Sequence, residues 1–214
     1  MSEKRILILG IGNLLWADEG FGVRCVELLN ECYRFPDHVR LLDGGTQGLY
    51  LVPHVQEADV LLVFDAVDYG LEPGTLKVVE DGDVPKFMGA KQMSLHQTGF
   101  QEVLAMAEFT GSCPAQMRLI GVQPKTLEDF GGSLTPLVKA RLEPALEIAL
   151  DYLASLGVVP EPLANSGMAP EVTALAPRQL ALDEYEAGRP DESSAFRNGD
   201  LRFIAPAAPD QEAG

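Results

Sequence analysis

Apolar residues along the chain form two kinds of pattern, short unbroken runs and longer stripes with helical spacing. Unbroken runs of branched residues predict strands buried on both faces; they lie at Arg5–Leu9, Val39–Asp43, Val60–Phe64 and Gln116–Val122. Stripes with a spacing of three or four residues predict helices; they lie at about Gly20–Tyr33, Gly48–Gln56, Ser94–Phe109 and Thr135–Leu156. The mixed pattern of Thr75–Glu80 is typical of an edge strand, and Asp81–Met93 is expected to be loop.

Alternation of strands and helices indicates a three-layer α/β/α sandwich with a mostly parallel sheet of about five strands. We expect one α/β domain over residues 1–157, because the composition changes after Gly157. Residues 160–214 hold seven of the 15 prolines and ten acidic against four basic side chains. Residues 158–214 are therefore expected to form an irregular tail, either disordered or lying on the domain surface.

The first apolar run ends at Gly10-Ile11-Gly12, and the acidic pair Asp18-Glu19 follows. The two glycines fit a tight turn or a close approach of the backbone, and they also match the start of the dinucleotide-binding pattern G-x-G-x-x-G. Leu15 stands where the third glycine of that pattern belongs. Two carboxylates at this place would also repel a pyrophosphate, so no nucleotide cofactor is expected. One of the two is expected to cap the following helix, leaving the other for chemistry.

Chemistry-bearing side chains stand at the predicted strand ends. Glu19 follows the first strand, Asp43 ends the second, Asp65 ends the third, and His96 stands where a later helix begins. Taken singly, Asp43 fits a turn before Gly44-Gly45, and His96 fits a helix N-terminus. Because parallel strands meet at one edge, Glu19, Asp65 and His96 are expected to converge there. Such a set suits a divalent metal such as zinc or nickel, or acid–base work by paired carboxylates.

Charge, hydropathy and cysteine usage limit the class of protein. The net charge is −16 over 214 residues, which argues against nucleic acid as a partner. The sequence has no apolar run long enough to span a membrane and no signal-peptide pattern at its start. Cys25, Cys32 and Cys113 form no C-x-x-C motif, which indicates a reduced, cytoplasmic protein. Cys25 and Cys32 are seven residues apart in a helix, so both are expected in the core.

Several motifs together resemble one family. Ile8-Leu9-Gly10-Ile11-Gly12-Asn13-Leu14-Leu15 with Asp18-Glu19 is similar to the opening of the hydrogenase maturation endopeptidases. Leu42-Asp43-Gly44-Gly45-Thr46, Asp65-Ala66, Ser94-Leu95-His96-Gln97 and Leu119-Ile120-Gly121-Val122-Gln123-Pro124 also look like that family, in the same order. The resemblance covers about residues 4–157 and does not extend to the tail.

The resemblance implies a peptidase that removes a C-terminal peptide from the precursor of the nickel-iron hydrogenase large subunit after nickel insertion. It implies that Glu19, Asp65 and His96 recognise the nickel of the substrate, bound transiently, and that Asp43 lies near the same cleft. The matching motifs contain no serine or cysteine nucleophile. Hydrolysis would then be assisted by the metal, or Asp43 or Asp65 would act as general base.

Other functions remain compatible with the same residues. A stand-alone metallohydrolase would use Glu19, Asp65 and His96 for a zinc ion of its own. A non-catalytic chaperone would bind the immature large subunit through them. A nucleotide-binding α/β protein is disfavoured by Asp18 and Glu19.

Overall fold

The computed structural model describes residues 3–88, 95–127, 129–163, 175 and 177–189. Its strands are β1 (Ile6–Ile11), β2 (Tyr33–Arg34), β3 (Val39–Gly45), β4 (Val60–Ala66), β5 (Leu76–Glu80), β6 (Gln116–Val122) and β7 (Glu161–Pro162). Five of them form one sheet in the order β3-β1-β4-β6-β5. The first four are parallel, and the edge strand β5 is antiparallel to β6. The predicted edge position of this segment is therefore confirmed.

Helices cover both faces of the sheet, as the alternating pattern predicts. They are α1 (Phe21–Cys32), α2 (Val52–Glu57), α3 (Val84–Met88), α4 (Leu95–Phe109), α5 (Pro136–Lys139), α6 (Leu142–Ser155) and α7 (Leu182–Gly188). One apolar cluster joins the sheet to α1 and α6, and a second joins the opposite face to α2 and α4. We call these the α1–α6 face and the α2–α4 face. The α/β sandwich is confirmed.

Side chains of the central strands alternate between the two faces. In β1, Ile6 and Ile8 belong to the α1–α6 face, whereas Leu7, Leu9 and Ile11 belong to the α2–α4 face. This period of two is the geometry of a strand, and both faces are apolar because helices cover both. A residue's position in the register therefore determines the face on which its side chain lies.

Two segments differ from the sequence-based expectation. The helix predicted at Thr135–Leu156 is divided into α5 and α6. Pro144 has no N–H to bond the carbonyl of Ala140, so a new helix begins at Leu142 with the proline in its first turn. In the expected loop Asp81–Met93, a 3-10 turn at Asp81–Asp83 and α3 are present, while residues 89–94 lie outside the described part.

The three cysteines lie in described regions and are free thiols. Cys25 is fully buried in the α1–α6 face, as expected, and burial raises the pKa of its thiol. The prediction that Cys32 is also in the core is wrong, because Cys32 is exposed. Burial along α1 stops at Leu29, so the helical face that carries Cys25 leaves the core before the last turn.

Part of the predicted tail is described. Strand β7 pairs antiparallel with β2, outside the main sheet. Residues 177–189 form a 3-10 turn at Arg178–Leu180 and helix α7. Leu175 and Leu182 pack on the apolar cluster of the α1–α6 face. Residues 164–174, 176 and 190–214 lie outside the described part.

Candidate active site at the carboxyl edge of the sheet

Two glycines allow the segment after β1 to fold back onto the strand. Gly12 has a φ of +130°, and a methyl group on it would lie 1.8 Å from the carbonyl oxygen of Glu19. A methyl group on Gly10 would lie 2.4 Å from the carbonyl oxygen of Gly22 in α1. Only glycine permits both approaches. The Gly-x-Gly pattern therefore holds the 3-10 turn Ala17–Gly20, and with it Glu19, directly over the strand end.

Asp18 organises the opposite wall of the site. Its carboxylate accepts hydrogen bonds from the backbone N–H groups of Lys125 at 2.9 Å, Thr126 at 3.0 Å and Thr135 at 2.7 Å. It also accepts one from the Thr135 hydroxyl at 3.1 Å, and the side chain is fully buried. The prediction that Asp18 or Glu19 caps the next helix is wrong, because the N-cap residues of the 3-10 turn and of α1 are Trp16 and Gly20.

Asp65 lies inside β4 rather than after it, and it is buried with 2 % of its surface exposed. In the register it pairs with Gly121 of β6. The ring of Tyr69 covers that glycine, since a methyl group at Gly121 would lie 2.1 Å from the Tyr69 hydroxyl oxygen. Burial, together with the negative charge of Asp65, raises the pKa of the Tyr69 hydroxyl. Tyr69 therefore stays protonated beside the carboxylate.

Glu19 and Asp65 are brought to the same edge of the sheet. β1 and β4 are adjacent and parallel, and the 3-10 turn that carries Glu19 contacts β4. Glu19 has 8 % of its surface exposed. Two carboxylates thus lie in a largely buried place, where charge interactions are stronger than in water.

Asp43 lies on the other face of the sheet. It pairs with Gly10, which also pairs with Phe64, and Phe64 packs in the α1–α6 face. Asp65 is the next residue along β4, so its side chain lies on the α2–α4 face. The two aspartates predicted as candidate bases are therefore separated by the sheet. Burial raises the pKa of Asp43, although a hydrogen bond from the Gly45 N–H and the charge of Arg24 act against this.

His96 stands in the first turn of α4, on the α2–α4 face. The start of this helix lies next to the 3-10 turn Gly48–Leu51, which follows β3, because a methyl group on Gly99 would be 3.5 Å from the Gly48 Cα. The side chain of His96 is outside the described set. Among the described side chains, no three His, Cys, Asp or Glu residues lie together as a metal-binding group. The backbone therefore brings His96 to the correct edge, and its metal-ligand role stays a prediction.

Gln123 has a positioning role that the sequence did not indicate. Its side-chain oxygen accepts the N–H groups of Tyr69 at 2.8 Å and Leu71 at 3.1 Å. Its side-chain nitrogen donates to Asp68 at 3.0 Å. One buried amide thereby fixes the loop that carries Tyr69. The Gln123-Pro124 motif contributes to the resemblance to the family, but the sequence assigns the glutamine no role. Its hydrogen-bond partners are more than 50 residues away along the chain.

Large apolar side chains are exposed around this edge. Phe130 is 63 % exposed and contacts the edge of the Trp16 ring, with centroids 5.2 Å apart. Leu15 is 41 % exposed, and its carbonyl accepts the N–H of Gly131 at 2.7 Å. On the β3 side, Tyr50 is 83 % exposed. Exposed apolar patches that include aromatic side chains are typical of surfaces that bind another protein.

A cavity of about 370 Å³ is lined by Asp68, Gln123, Pro124, Lys125, Thr126 and Leu127. Two of these residues, Lys125 and Thr126, donate their backbone N–H groups to Asp18, so the same carboxylate stabilises the cavity wall and the candidate site. None of the helices in the described part of the chain is long and apolar enough to cross a membrane.

Comparisons with known proteins agree on one family. The model of the HycI hydrogenase maturation protease family matches residues 23–152. The hydrogenase expression/formation protein HoxM of Azotobacter vinelandii is 69 % identical over 204 residues, which are 95 % of this chain and 96 % of that protein. The hydrogenase 2 maturation protease of Escherichia coli K12 is 45 % identical over 155 residues, 72 % of this chain and 93 % of that protein.

Solved structures show the same relationship. The hydrogenase maturating endopeptidase HybD from Escherichia coli is 42 % identical, with a TM-score of 0.72, and the match covers 76 % of this chain and 99 % of HybD. The maturation protease HycI from Thermococcus kodakarensis is 29 % identical, with a TM-score of 0.57, over 71 % of this chain and 93 % of that one. The high coverage of HoxM extends the similarity beyond the part shared with HybD.

Proposed function

The chain belongs to the hydrogenase maturation protease family, and from that premise we propose that it removes the C-terminal peptide from the nickel-loaded precursor of a nickel-iron hydrogenase large subunit. We place this activity in the cytoplasm, where its three free thiols stay reduced. The observation that carries the proposal is the pair of buried carboxylates, Glu19 and Asp65, at the carboxyl ends of two neighbouring parallel strands.

In this proposal, Glu19, Asp65 and His96 recognise the nickel that the substrate brings. Carboxylate oxygens and an imidazole nitrogen suit a borderline divalent ion. The nickel is part of the substrate, so the protein has no need to retain a metal between turnovers. Docking of the nickel site would hold the scissile peptide beside a water molecule, and such positioning lowers the barrier to hydrolysis.

The hydrolytic step needs a group that accepts a proton from water. The water oxygen forms a bond to the peptide carbonyl carbon, a carboxylate takes the proton, and the C–N bond breaks as that proton passes to the leaving nitrogen. Asp65 is supported as the base because it lies on the face where α4 begins. Asp43 is the alternative base: burial raises its pKa, but it lies on the α1–α6 face, across the sheet from Asp65.

The test is a processing assay that compares two forms of the precursor. Purified protein is mixed with nickel-loaded and nickel-free large-subunit precursor, and the intact mass of the subunit is followed. We expect loss of a C-terminal peptide from the nickel-loaded form alone. Cleavage of both forms would keep the peptidase and remove nickel recognition. Binding without cleavage of either form would support the chaperone alternative.

Single substitutions test the nickel-recognising residues. Glu19→Gln and His96→Ala are expected to abolish the preferential cleavage of the nickel-loaded precursor over the nickel-free form. His54→Ala is the matched control, because His54 lies in α2 and contacts Arg40, away from the site. Normal processing by both Glu19→Gln and His96→Ala would refute nickel recognition. Stoichiometric zinc in the purified protein would instead support the stand-alone metallohydrolase.

A further inference from the structure

Residues 177–189 pack onto the domain although they lie outside the family match at residues 23–152. The segment consists of the 3-10 turn Arg178–Leu180 and helix α7. Leu182 packs on the apolar cluster of the α1–α6 face. We call this segment the C-terminal strap. Two groups of polar contacts determine where it lies.

The first group surrounds Arg24 of α1, which is buried with 3 % of its surface exposed. Its guanidinium pairs with Glu27 at 2.7 Å and donates a hydrogen bond to the carbonyl of Leu180 in the strap. It also lies over the ring of Tyr185 at 5.7 Å from the centroid. A buried cation requires partners, and the strap supplies two of them. Arg24 therefore anchors the strap to the domain.

The second group surrounds Glu186 of α7. Its carboxylate accepts a hydrogen bond from the Ser133 hydroxyl at 2.8 Å and pairs with Lys139 of α5 at 2.6 Å. Partial burial acts to raise its pKa, but hydrogen bonds from Lys139 and Ser133 and the charges of Lys139 and Arg24 lower it overall. Glu186 thus stays ionised and joins the strap to the segment just before α5.

Ser133 is two residues from Thr135, whose N–H and hydroxyl both bind Asp18. The same segment carries Phe130 against Trp16, and Gly131 donates to Leu15. Residues 129–135, which we call the wall segment, are therefore bound on one side by the strap and on the other by the turn that holds Glu19. These contacts form a continuous connection from α7 to the candidate site.

We propose that the C-terminal strap holds the wall segment in place for binding of the precursor, with Glu186 as the positioning residue. The effect on processing rests on the proposed function, whereas the effect on the wall segment does not. Loss of the Glu186 contacts releases residues 129–135 and weakens binding of the precursor, while the catalytic carboxylates keep their places. The strap is accordingly part of the substrate-binding apparatus and not an inert extension.

The first test measures hydrogen exchange in the full-length protein. Glu186→Ala should make exchange in residues 129–135 about tenfold faster. Glu186→Gln, which keeps an acceptor for Ser133, should restore most of the protection. Glu184→Ala is the matched control, because Glu184 pairs with Arg178 inside the strap. Unchanged exchange in the wall segment of Glu186→Ala would overturn the proposal, and so would an equal effect of Glu184→Ala.

The second test measures processing of the nickel-loaded precursor. Glu186→Ala should raise KM about fivefold and leave kcat within about twofold. Ser133→Ala should give a similar rise, and the double variant should show no further rise because the two residues act through one contact. Faster exchange with unchanged KM would refute the role in precursor binding. If the wild-type protein cleaves no precursor, the proposed function fails while the exchange result still decides whether the strap holds the wall segment.

Discussion

The two ends of the sheet carry aspartates in opposite surroundings. At the amino end, Asp59 has 45 % of its side chain exposed, accepts the N–H of Arg5 at 2.8 Å and pairs with its guanidinium. These contacts, led by the backbone hydrogen bond, lower its pKa. At the carboxyl end, Asp18 and Asp65 are buried and Asp43 is half-buried, with a raised pKa caused mainly by burial.

This difference shows that flanking a strand does not by itself make an aspartate reactive. Asp59 is held in its charged form by hydrogen bonds from the backbone and the guanidinium of Arg5, so it has little tendency to take a proton. Carboxylates in a low-dielectric place exchange protons or bind cations more readily, because ionisation there is costly. Burial and neighbours, rather than residue type, distinguish the candidate site from the opposite end of the sheet.

The largest expected effect is that of Asp65→Asn. Removing a general base or metal-binding carboxylate should lower the rate of precursor processing by at least about 100-fold. The amide has nearly the same size, so the buried strand should keep its fold. The measurement is the time course of precursor cleavage by intact mass, with circular dichroism to check the fold.

Asp59→Asn is the control for this comparison, since it makes the same chemical change at the other end of the sheet. It should leave processing within about twofold of the wild-type rate. Equal losses from both substitutions, or near-normal processing by Asp65→Asn, would show that the carboxyl edge has no special role.

The next effect concerns the glycine that holds Glu19 in place. Gly12→Ala should reduce processing by more than about tenfold, because the methyl group would lie 1.8 Å from the carbonyl oxygen of Glu19 and must displace it. Gly82→Ala is the matched control, as Gly82 has open space around its Cα. Cleavage rates and thermal unfolding of both variants would be compared. A fully active Gly12→Ala would mean that the position of Glu19 is unimportant.

The sequence predicted the order of strands and helices well, because apolar periodicity is local. Gln116–Val122 was predicted with the observed bounds. The sequence also predicted that Glu19 and Asp65 share one edge, since parallel neighbouring strands require it. In the structure β1 and β4 are adjacent and parallel, so the two residues lie at the same edge of the sheet.

Long-range contacts could not be predicted in this way. Asp18 accepts hydrogen bonds from groups more than 100 residues away along the chain. The sequence therefore could not distinguish its structural role from that of its neighbour Glu19. The faces of Asp43 and Asp65 depend on the register of three strands, which a single sequence does not provide. Glu186 also lies in a segment whose composition suggested only an irregular tail, although it contacts Ser133.

Asp18→Asn should affect stability more than any other carboxylate change in the described site. Its Oδ2 atom accepts three of the four hydrogen bonds, and an amide nitrogen there would face donors instead. We expect the free energy of unfolding to fall by about 2–4 kcal/mol. Urea denaturation would measure this. Wild-type stability would show that these contacts are not needed to hold Lys125, Thr126 and Thr135 in place.

Asp43→Asn should slightly increase the free energy of unfolding, whereas Asp18→Asn should decrease it. A raised pKa means that the unfolded state ionises first as pH increases, so ionisation of Asp43 destabilises the fold above the unfolded-state pKa of about 3.9. Asp43→Asn removes that loss and should stabilise the protein at pH 7 by less than about 1 kcal/mol. Thermal unfolding at pH 3 and pH 7 would measure it. Destabilisation at pH 7 would mean that the carboxylate is net favourable to the fold.

The smallest expected effect, and the one that sharpens the comparison most, is that of Asp59→Asn on stability. The lowered pKa of Asp59 means that the folded state favours the carboxylate, so its contribution is present above the unfolded-state pKa of about 3.9 and is lost as pH falls through the folded-state value. Asp59→Asn should therefore unfold at a slightly lower temperature at pH 7, and its difference from wild type should close in acid. High salt should reduce the difference, because the pair with Arg5 is exposed. We expect the change in unfolding temperature at pH 7 to be positive for Asp43→Asn and negative for Asp59→Asn, and both changes to vanish at low pH. This result would show that ionisation of an aspartate destabilises the fold at the carboxyl end of the sheet and stabilises it at the amino end. The same sign at both ends would mean that burial does not distinguish them.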